Sequence, residues 1–458
     1  MKPDAEGMAR LGIAPDSIIG VRQSECGFDP WVRDDGLHGN AYGGDYGDND
    51  GPYNRYLKDK GYDTENPWAV YANGSVEDGK LASGWFIENA YKPANIREED
   101  SETPWRTREA ISFIEQATAP WCAHVSFIKP HWPYIVPAPY HDMYGPDDVQ
   151  ALIRDEAERA NANPVYEAFF TNKIAETFRN DEARTKAIIA YMGLIKQCDD
   201  QLGVLLDFLE ASGRDQDTVI VLTSDHGDYL GDHWLGEKDL FHDVSAKVPL
   251  IIADPSPAAD TTRGKQCDAL VEQIDLAATF IEMAGGEVPA HQIEGRSLLP
   301  FLHGNTPEGW RDYVISEYDY SVLPMRFTLG LDSRQARLFM VFDGRHKMVH
   351  SAGGHLPMLF DLKSDPQEFT DLGGDPEHTA TRDRLYAMLH DWSLRLSQRV
   401  TMSEAAIDKK VGEPQREGIL VGVHREDDLG TEFTSRYTGD ARQIHFENEA
   451  DRKRYGGE

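Results

Sequence analysis

The run TKAIIAYMGLIKQCDDQLGVLLDFLEASG, Thr185 to Gly213, followed at once by DTVIVLTSDHG, constrains the fold more than any other part of the chain. Apolar residues recur at helical intervals through the first segment, and a glycine stops it. The second is a short β-branched apolar run of strand length. A long helix feeding a buried strand is the crossover unit of an α/β sheet. Open sheets of this kind bind ligands beyond the carboxyl ends of their strands.

That carboxyl end carries TSDHGDYLGDHWLGEKDLFHD, Thr223 to Asp243, with three histidines, five aspartates, one glutamate and one lysine. Such a stretch suits two descriptions, a solvated loop of an acidic protein or one face of a metal and anion site. Asp225 and His226 are a carboxylate and an imidazole side by side, and Gly227 allows a tight turn beneath them. Two ligands do not complete a metal site, and a capped, solvated loop accounts for the pair equally well. Lys238 is far enough along for the loop to return, where an ammonium neutralises non-bridging oxygens. Asp228, Asp232, His233, Glu237 and Asp239 read as solvation or as supporting partners.

A second strand end repeats the theme. WCAHVSFI is an apolar run of strand length that delivers Lys129, Pro130 and His131 to an edge. An imidazole there is suited to protonating a leaving oxygen; a structural histidine between prolines is the alternative. His346, His350 and His355 read as surface or domain-boundary groups.

Other segments fill out the frame. SETPWRTREAISFIEQATAP and VEQIDLAATFIEMAG read as helices, and VPLIIADP and RDYVISEY as strands. Residues 147 to 180 read as acidic helix and surface insertion. Gly36 to Leu57 is turn-rich. From about residue 330 the pattern changes to apolar strands and a helix, giving an expected organisation of 1–329, 330–400 and a polar arm or tail, 401–458. The turn in LFDLKSDPQEFTDLG is expected to dock the second domain on the first.

Composition sets limits. The chain has 458 residues, and its formal net charge of −33 excludes nucleic acid and anionic membrane as partners. A small anionic substrate is compatible, because a local cation dominates its own pocket. No apolar run is long enough to cross a membrane, and no signal core opens the chain, so a cytoplasmic location is expected. The four cysteines, at 26, 122, 198 and 267, form no paired motif and read as reduced thiols.

KPHWPY, the helix AYMGLIKQCDDQLGVLLDFLE, TVIVLTSDHGDYLGDHWLGEKDLF with KVPLII after it, and LFDLKSDPQEFTDLG together resemble the sulfatase branch of the alkaline phosphatase superfamily. The likeness is greatest to phosphonate monoester hydrolases and arylsulfatase-like enzymes. It implies an α/β fold with a large mixed sheet flanked by helices and a smaller C-terminal antiparallel sheet plus helix. It implies one divalent metal, manganese or calcium before zinc, with Asp225 and His226 matching two ligands. By the same resemblance His131 and Lys238 match catalytic groups, and Lys238 with Lys129 substrate-binding ones. The substrate is expected to be a small sulfate, phosphonate or phosphate ester, and the assembly a homo-oligomer such as a tetramer. Members of the family also carry a first strand with acidic metal ligands and a Cys-x-Pro-Ser-Arg or Ser-x-Pro-x-Arg motif that supplies a formylglycine nucleophile. Neither is present in this chain, and Cys26 in ECGFDP does not match. Met1 is therefore expected to be an internal methionine of a longer form, in which formylglycine would be found. The competing expectations are a phosphodiesterase of the same superfamily and an inactive homologue with a structural role.

Overall fold

The computed structural model describes residues 27–34, 51–118, 120–288 and 293–395, together with His424, Arg425 and Asp427. Its principal elements in chain order are α1 (Pro52–Asp59), β1 (Gly74–Glu77), β2 (Lys80–Ser83), α2 (Glu102–Gln116), α3 (Pro164–Phe170) and α4 (Asp181–Ser212). They continue with β3 (Ile220–Thr223), α5 (Asp243–Ala246), β4 (Leu250–Ala253), α6 (Ile274–Met283), β5 (Val314–Asp319), β6 (Arg337–Phe342), β7 (His346–Ser351), β8 (Met358–Asp361) and α7 (Thr379–Arg395). Cys26 and nearly all of the polar C-terminal arm lie outside the described residues.

The long helix forms as its sequence dictates. The side chain of Asn180 accepts from the amides of Glu182 and Ala183 at its start, and Gly213 ends it in the left-handed region at φ 69°. Its first half buries Ala183, Ala187, Ala190 and Leu194 against Tyr53, Trp68, Trp132 and Tyr134. Small residues on this face let large rings approach the helix closely, so the first core is dominated by aromatic area.

β3 follows α4, and it pairs antiparallel with β4, Thr223 opposite Leu250 and Ile220 opposite Ala253. Residues 224–249 therefore leave the sheet and return to the neighbouring strand. Residues 121–128 differ from expectation. Their exposure alternates as a strand's does, yet no ladder pairs them among the described residues. Alternating polarity fixes which way side chains point; it does not supply a hydrogen-bonding partner. The outer face of the β3–β4 pair is likewise open, with Ile251 60% exposed.

The C-terminal sheet is antiparallel in the order β5-β6-β7-β8. It begins at Val314, so RDYVISEY joins this sheet rather than the one beside it. One face packs Val341, Met348 and Leu359 against Leu385 of α7. The other face packs Leu338, Met340, Val349, Met358 and Phe360 against Tyr229, Trp234, Leu235, Leu240 and Phe241. The segment 147–180 is not a surface insertion: Val165, Phe169 and Phe170 of α3 lie in this same second core. Its acidic residues hide a buried apolar face at i, i+4 and i+5. The described residues form an α/β fold with the four-stranded antiparallel sheet and α7 at the C-terminal end. Among the described residues no helix is long and apolar enough to cross a membrane.

Candidate active site

The loop 224–249 is charged by composition but anchored by its apolar residues, since Tyr229, Trp234, Leu235, Leu240 and Phe241 fill the second core. Left-handed backbone at Leu230, His233, Trp234, Glu237 and Leu240 folds it tightly enough for that. Its charges then have to find partners. Asp232 accepts from the amide of Ile153 at 3.0 Å. His233 meets Glu158 at 2.7 Å, and Asp239 accepts from the hydroxyl of Tyr318 on β5. These are supporting contacts, and they leave Asp225, His226 and Lys238 for other work.

At the end of β3, Asp225 holds the backbone of His226 through a 3.0 Å bond from its amide, and Ser224 donates to the His226 carbonyl at 2.8 Å. Nδ1 of His226 lies 2.8 Å from the carbonyl of Gly227. A carbonyl only accepts, so Nδ1 carries a hydrogen, and a metal at Nε2 would take the lone pair of the ring's other nitrogen. That nitrogen faces Oδ2 of Asp225 at 3.4 Å, and the Asp225 side chain is 84% exposed. Two acceptors facing one another at the mouth of the site are the donor set a divalent cation would draw together, with the second imidazole nitrogen held by a backbone carbonyl as in metal-ligating histidines. The residues present therefore fit a metal, but only in part. No group of three candidate ligands occurs among the described residues.

Gly227 is required here. A Cβ on it would stand 2.0 Å from the carbonyl oxygen of Val244 in α5. Its amide donates to the Ser245 carbonyl at 2.8 Å, and the Ser245 hydroxyl donates to the carbonyl of Lys238 at 2.5 Å. One turn of helix thus braces both ends of the loop.

Lys238 reaches the other strand end. Its Nζ lies 3.2 Å from Nε2 of His131, and the rings of His131 and His226 stand edge to face with centroids 6.3 Å apart. Nδ1 of His131 faces the Trp132 carbonyl at 3.2 Å, so this ring too carries its hydrogen on Nδ1 and accepts at Nε2. Burial and then the neighbouring Lys238 charge hold its pKa down to about 4. Asp228 lies behind this group, its carboxylate accepting from Tyr134 at 2.5 Å; burial lifts it to about 6 despite that bond. Burial raises Glu237, next to Lys238, to about 7.

Lys129 is placed differently from the other candidates. Its side chain turns inward, donating to Asn73 Oδ1 at 3.0 Å and to the carbonyl of Pro133 at 2.8 Å, and burial lowers its pKa to about 8. It lines a small cavity with Asn73, Ser101, Glu102 and Gln197 among its polar neighbours. The structure thus brings together Asp225, His226, Lys238 and His131, while Lys129 closes the loop on which His131 rides. Tyr134 and Tyr318 were not singled out from sequence. Each is a lone tyrosine among many, and only the fold shows which carboxylate it meets.

A sulfatase family model matches residues 54–286, and an N-sulphoglucosamine sulphohydrolase C-terminal model matches residues 231–394. The chain belongs to the sulfatase family. The multifunctional alkaline phosphatase superfamily protein PehA of Trinickia caryophylli is 34% identical over 325 residues, covering 67% of this chain and 62% of the relative. An arylsulfatase of Clostridium perfringens is 28% identical over 301 residues, covering 65% and 59% respectively. This chain therefore spans less than two thirds of either relative. Among solved structures, the phosphonate monoester hydrolase of Silicibacter pomeroyi shows 31% identity and a TM-score of 0.66, over 75% of this chain and 68% of that one. The phosphonate monoester hydrolase of Agrobacterium radiobacter shows 28% identity and a TM-score of 0.70, over 86% and 76%.

Proposed function

We propose that this chain carries the anion-binding and leaving-group side of a metal-dependent hydrolase of sulfate esters or phosphonate monoesters. Its formylglycine nucleophile belongs to a sequence motif that these 458 residues do not contain. The observation that carries this reading is the meeting of Lys238 and His131 at 3.2 Å beside the Asp225–His226 pair. A tetrahedral ester needs positive charge on its non-bridging oxygens and a proton for the departing one. Lys238 supplies the first as a compact ammonium. His131 is neutral and its Nε2 accepts from the Lys238 ammonium. It must therefore take up a proton from solvent, with its basicity raised by the bound anion, before it passes one to the leaving oxygen while Lys238 keeps its charge. Asp225 and His226 would hold the divalent ion, whose contribution is Lewis-acid charge. Lys129 serves the substrate indirectly, through the loop it closes. Phosphate diesters are the second substrate reading, supported by the similarity to a relative described as multifunctional.

The test maps the native transcript start and compares this chain with any upstream-extended form it reveals, co-produced with a formylglycine-generating enzyme. Both are offered an aryl sulfate, a phosphonate monoester and a phosphate diester with Mn²⁺ or Ca²⁺. Hydrolysis by the longer protein that falls by a factor of about 100 or more in Lys238→Met and His131→Ala supports the reading. Hydrolysis that survives both substitutions removes these residues from the mechanism. A folded but inert pair of proteins favours a structural homologue.

A further inference from the structure

The turn expected to dock the C-terminal part does more than join two halves. Lys347 on β7 and Glu368 in the turn after β8 are both buried, 3% and 2% exposed at their side chains, and their charged atoms lie 2.8 Å apart. Both reach out of the C-terminal sheet to one residue, Asp243, the first of α5. Lys347 pairs with its carboxylate, and Glu368 Oε2 accepts from its amide at 2.7 Å. Glu368 adopts the left-handed region, φ 55°, to do so. α5 is the turn whose Ser245 accepts from Gly227 and donates to the Lys238 carbonyl. A buried charge pair contributes little net stability compared with apolar residues of like volume; its better-attested use is to fix one arrangement among several.

We propose that Lys347 and Glu368 are positioning residues, which seat α5 so that it holds the Asp225–His226 turn and Lys238 at one fixed separation. The inference rests on the reading that Asp225, His226 and Lys238 form the site. It places a determinant of site geometry in the C-terminal sheet, outside any contact with substrate.

The experiment is amide hydrogen exchange on the full chain, following Gly227 and Asp243 against Met340 and Val349, which face each other across β6 and β7. The variants are Lys347→Met, the paired Lys347→Met with Glu368→Met, and Lys347→Arg. The paired change puts apolar volume where both charges were, so it avoids the unpaired buried carboxylate that the single change leaves at Glu368. Exchange at Gly227 and Asp243 should quicken by a factor of about 10 or more with β6–β7 protection unchanged. Lys347→Arg should restore most of the native protection. Equal loss at all four amides, or no loss at Gly227 in a folded variant, overturns the proposal, as does failure of both methionine variants to fold. If neither this chain nor an upstream-extended form hydrolyses any of the three esters, the functional reading fails while the exchange result still decides this one.

Discussion

The ammonium of Lys238 and Nε2 of His131 stand 3.2 Å apart although 107 residues separate them in the chain. This contact and the Trp132 carbonyl together select one tautomer of His131, with hydrogen on Nδ1 and a lone pair on Nε2. Nitrogen NMR of the histidine rings should show that tautomer at neutral pH. In Lys238→Met the His131 pKa should rise from about 4, because a like charge is removed. It should stay below the ordinary 6.5, because burial is the larger cause. A return to 6.5 would mean the lysine, not burial, sets its protonation.

Glu237 gives a pH dependence of defined sign. Its folded pKa is raised to about 7 by burial, so between the unfolded value of 4.5 and 7 the folded chain keeps a proton that the unfolded chain has released. Its stabilising contribution is complete below 4.5 and is lost as pH rises through 7. Glu237→Gln should therefore be more stable than the native chain at pH 8, by roughly 1–3 kcal/mol, and equal to it at pH 4. Urea midpoints at the two pH values measure this; a gain that is the same at both would dismiss titration as its origin.

Removing the Lys129 ammonium leaves two buried acceptors, Asn73 Oδ1 and the Pro133 carbonyl, without their donor. Lys129→Met should cost about 1–3 kcal/mol in denaturant unfolding. It should also loosen the His131 loop, read as broadened His131 ring resonances while those of His350, beside Tyr386, stay sharp.

Two glycines separate crowding from flexibility. Gly227→Ala drives a methyl to within 2.0 Å of the Val244 carbonyl, whereas a methyl on Gly203 in α4 meets nothing within 4 Å. The first should destabilise the chain by about 1–3 kcal/mol or more, and the second should stabilise it by about 0.5–1 kcal/mol. Thermal melts of the two variants, run together, check both signs.

Periodicity was enough to read α4, β3, β4 and α6, because each is long or apolar enough to carry its own pattern. The pairing of strands was less legible. RDYVISEY reads the same whichever sheet accepts it, and residues 121–128 show a strand's alternation with no ladder. The candidate cluster was legible where chemistry is dense, at Asp225, His226, Lys238 and His131, which the fold brings near one another. It was invisible where one residue acts at long range, as with Tyr134 on Asp228 or Tyr318 on Asp239. The interior role of Val165, Phe169 and Phe170 was hidden by the acidic residues between and around them.

The excursion 224–249 begins and ends on paired strands, Thr223 opposite Leu250. Asp225, His226 and Lys238 thus travel as one pre-assembled insert, with its two ends stitched to the same pair of rails. His131 arrives separately, on a different stretch of chain. A disturbance that moves the stretch carrying His131 against this insert opens the seam between Lys238 and His131. If the proposed function holds, wear in this protein should therefore show first as a loss of proton delivery, with the grip on anions outlasting it.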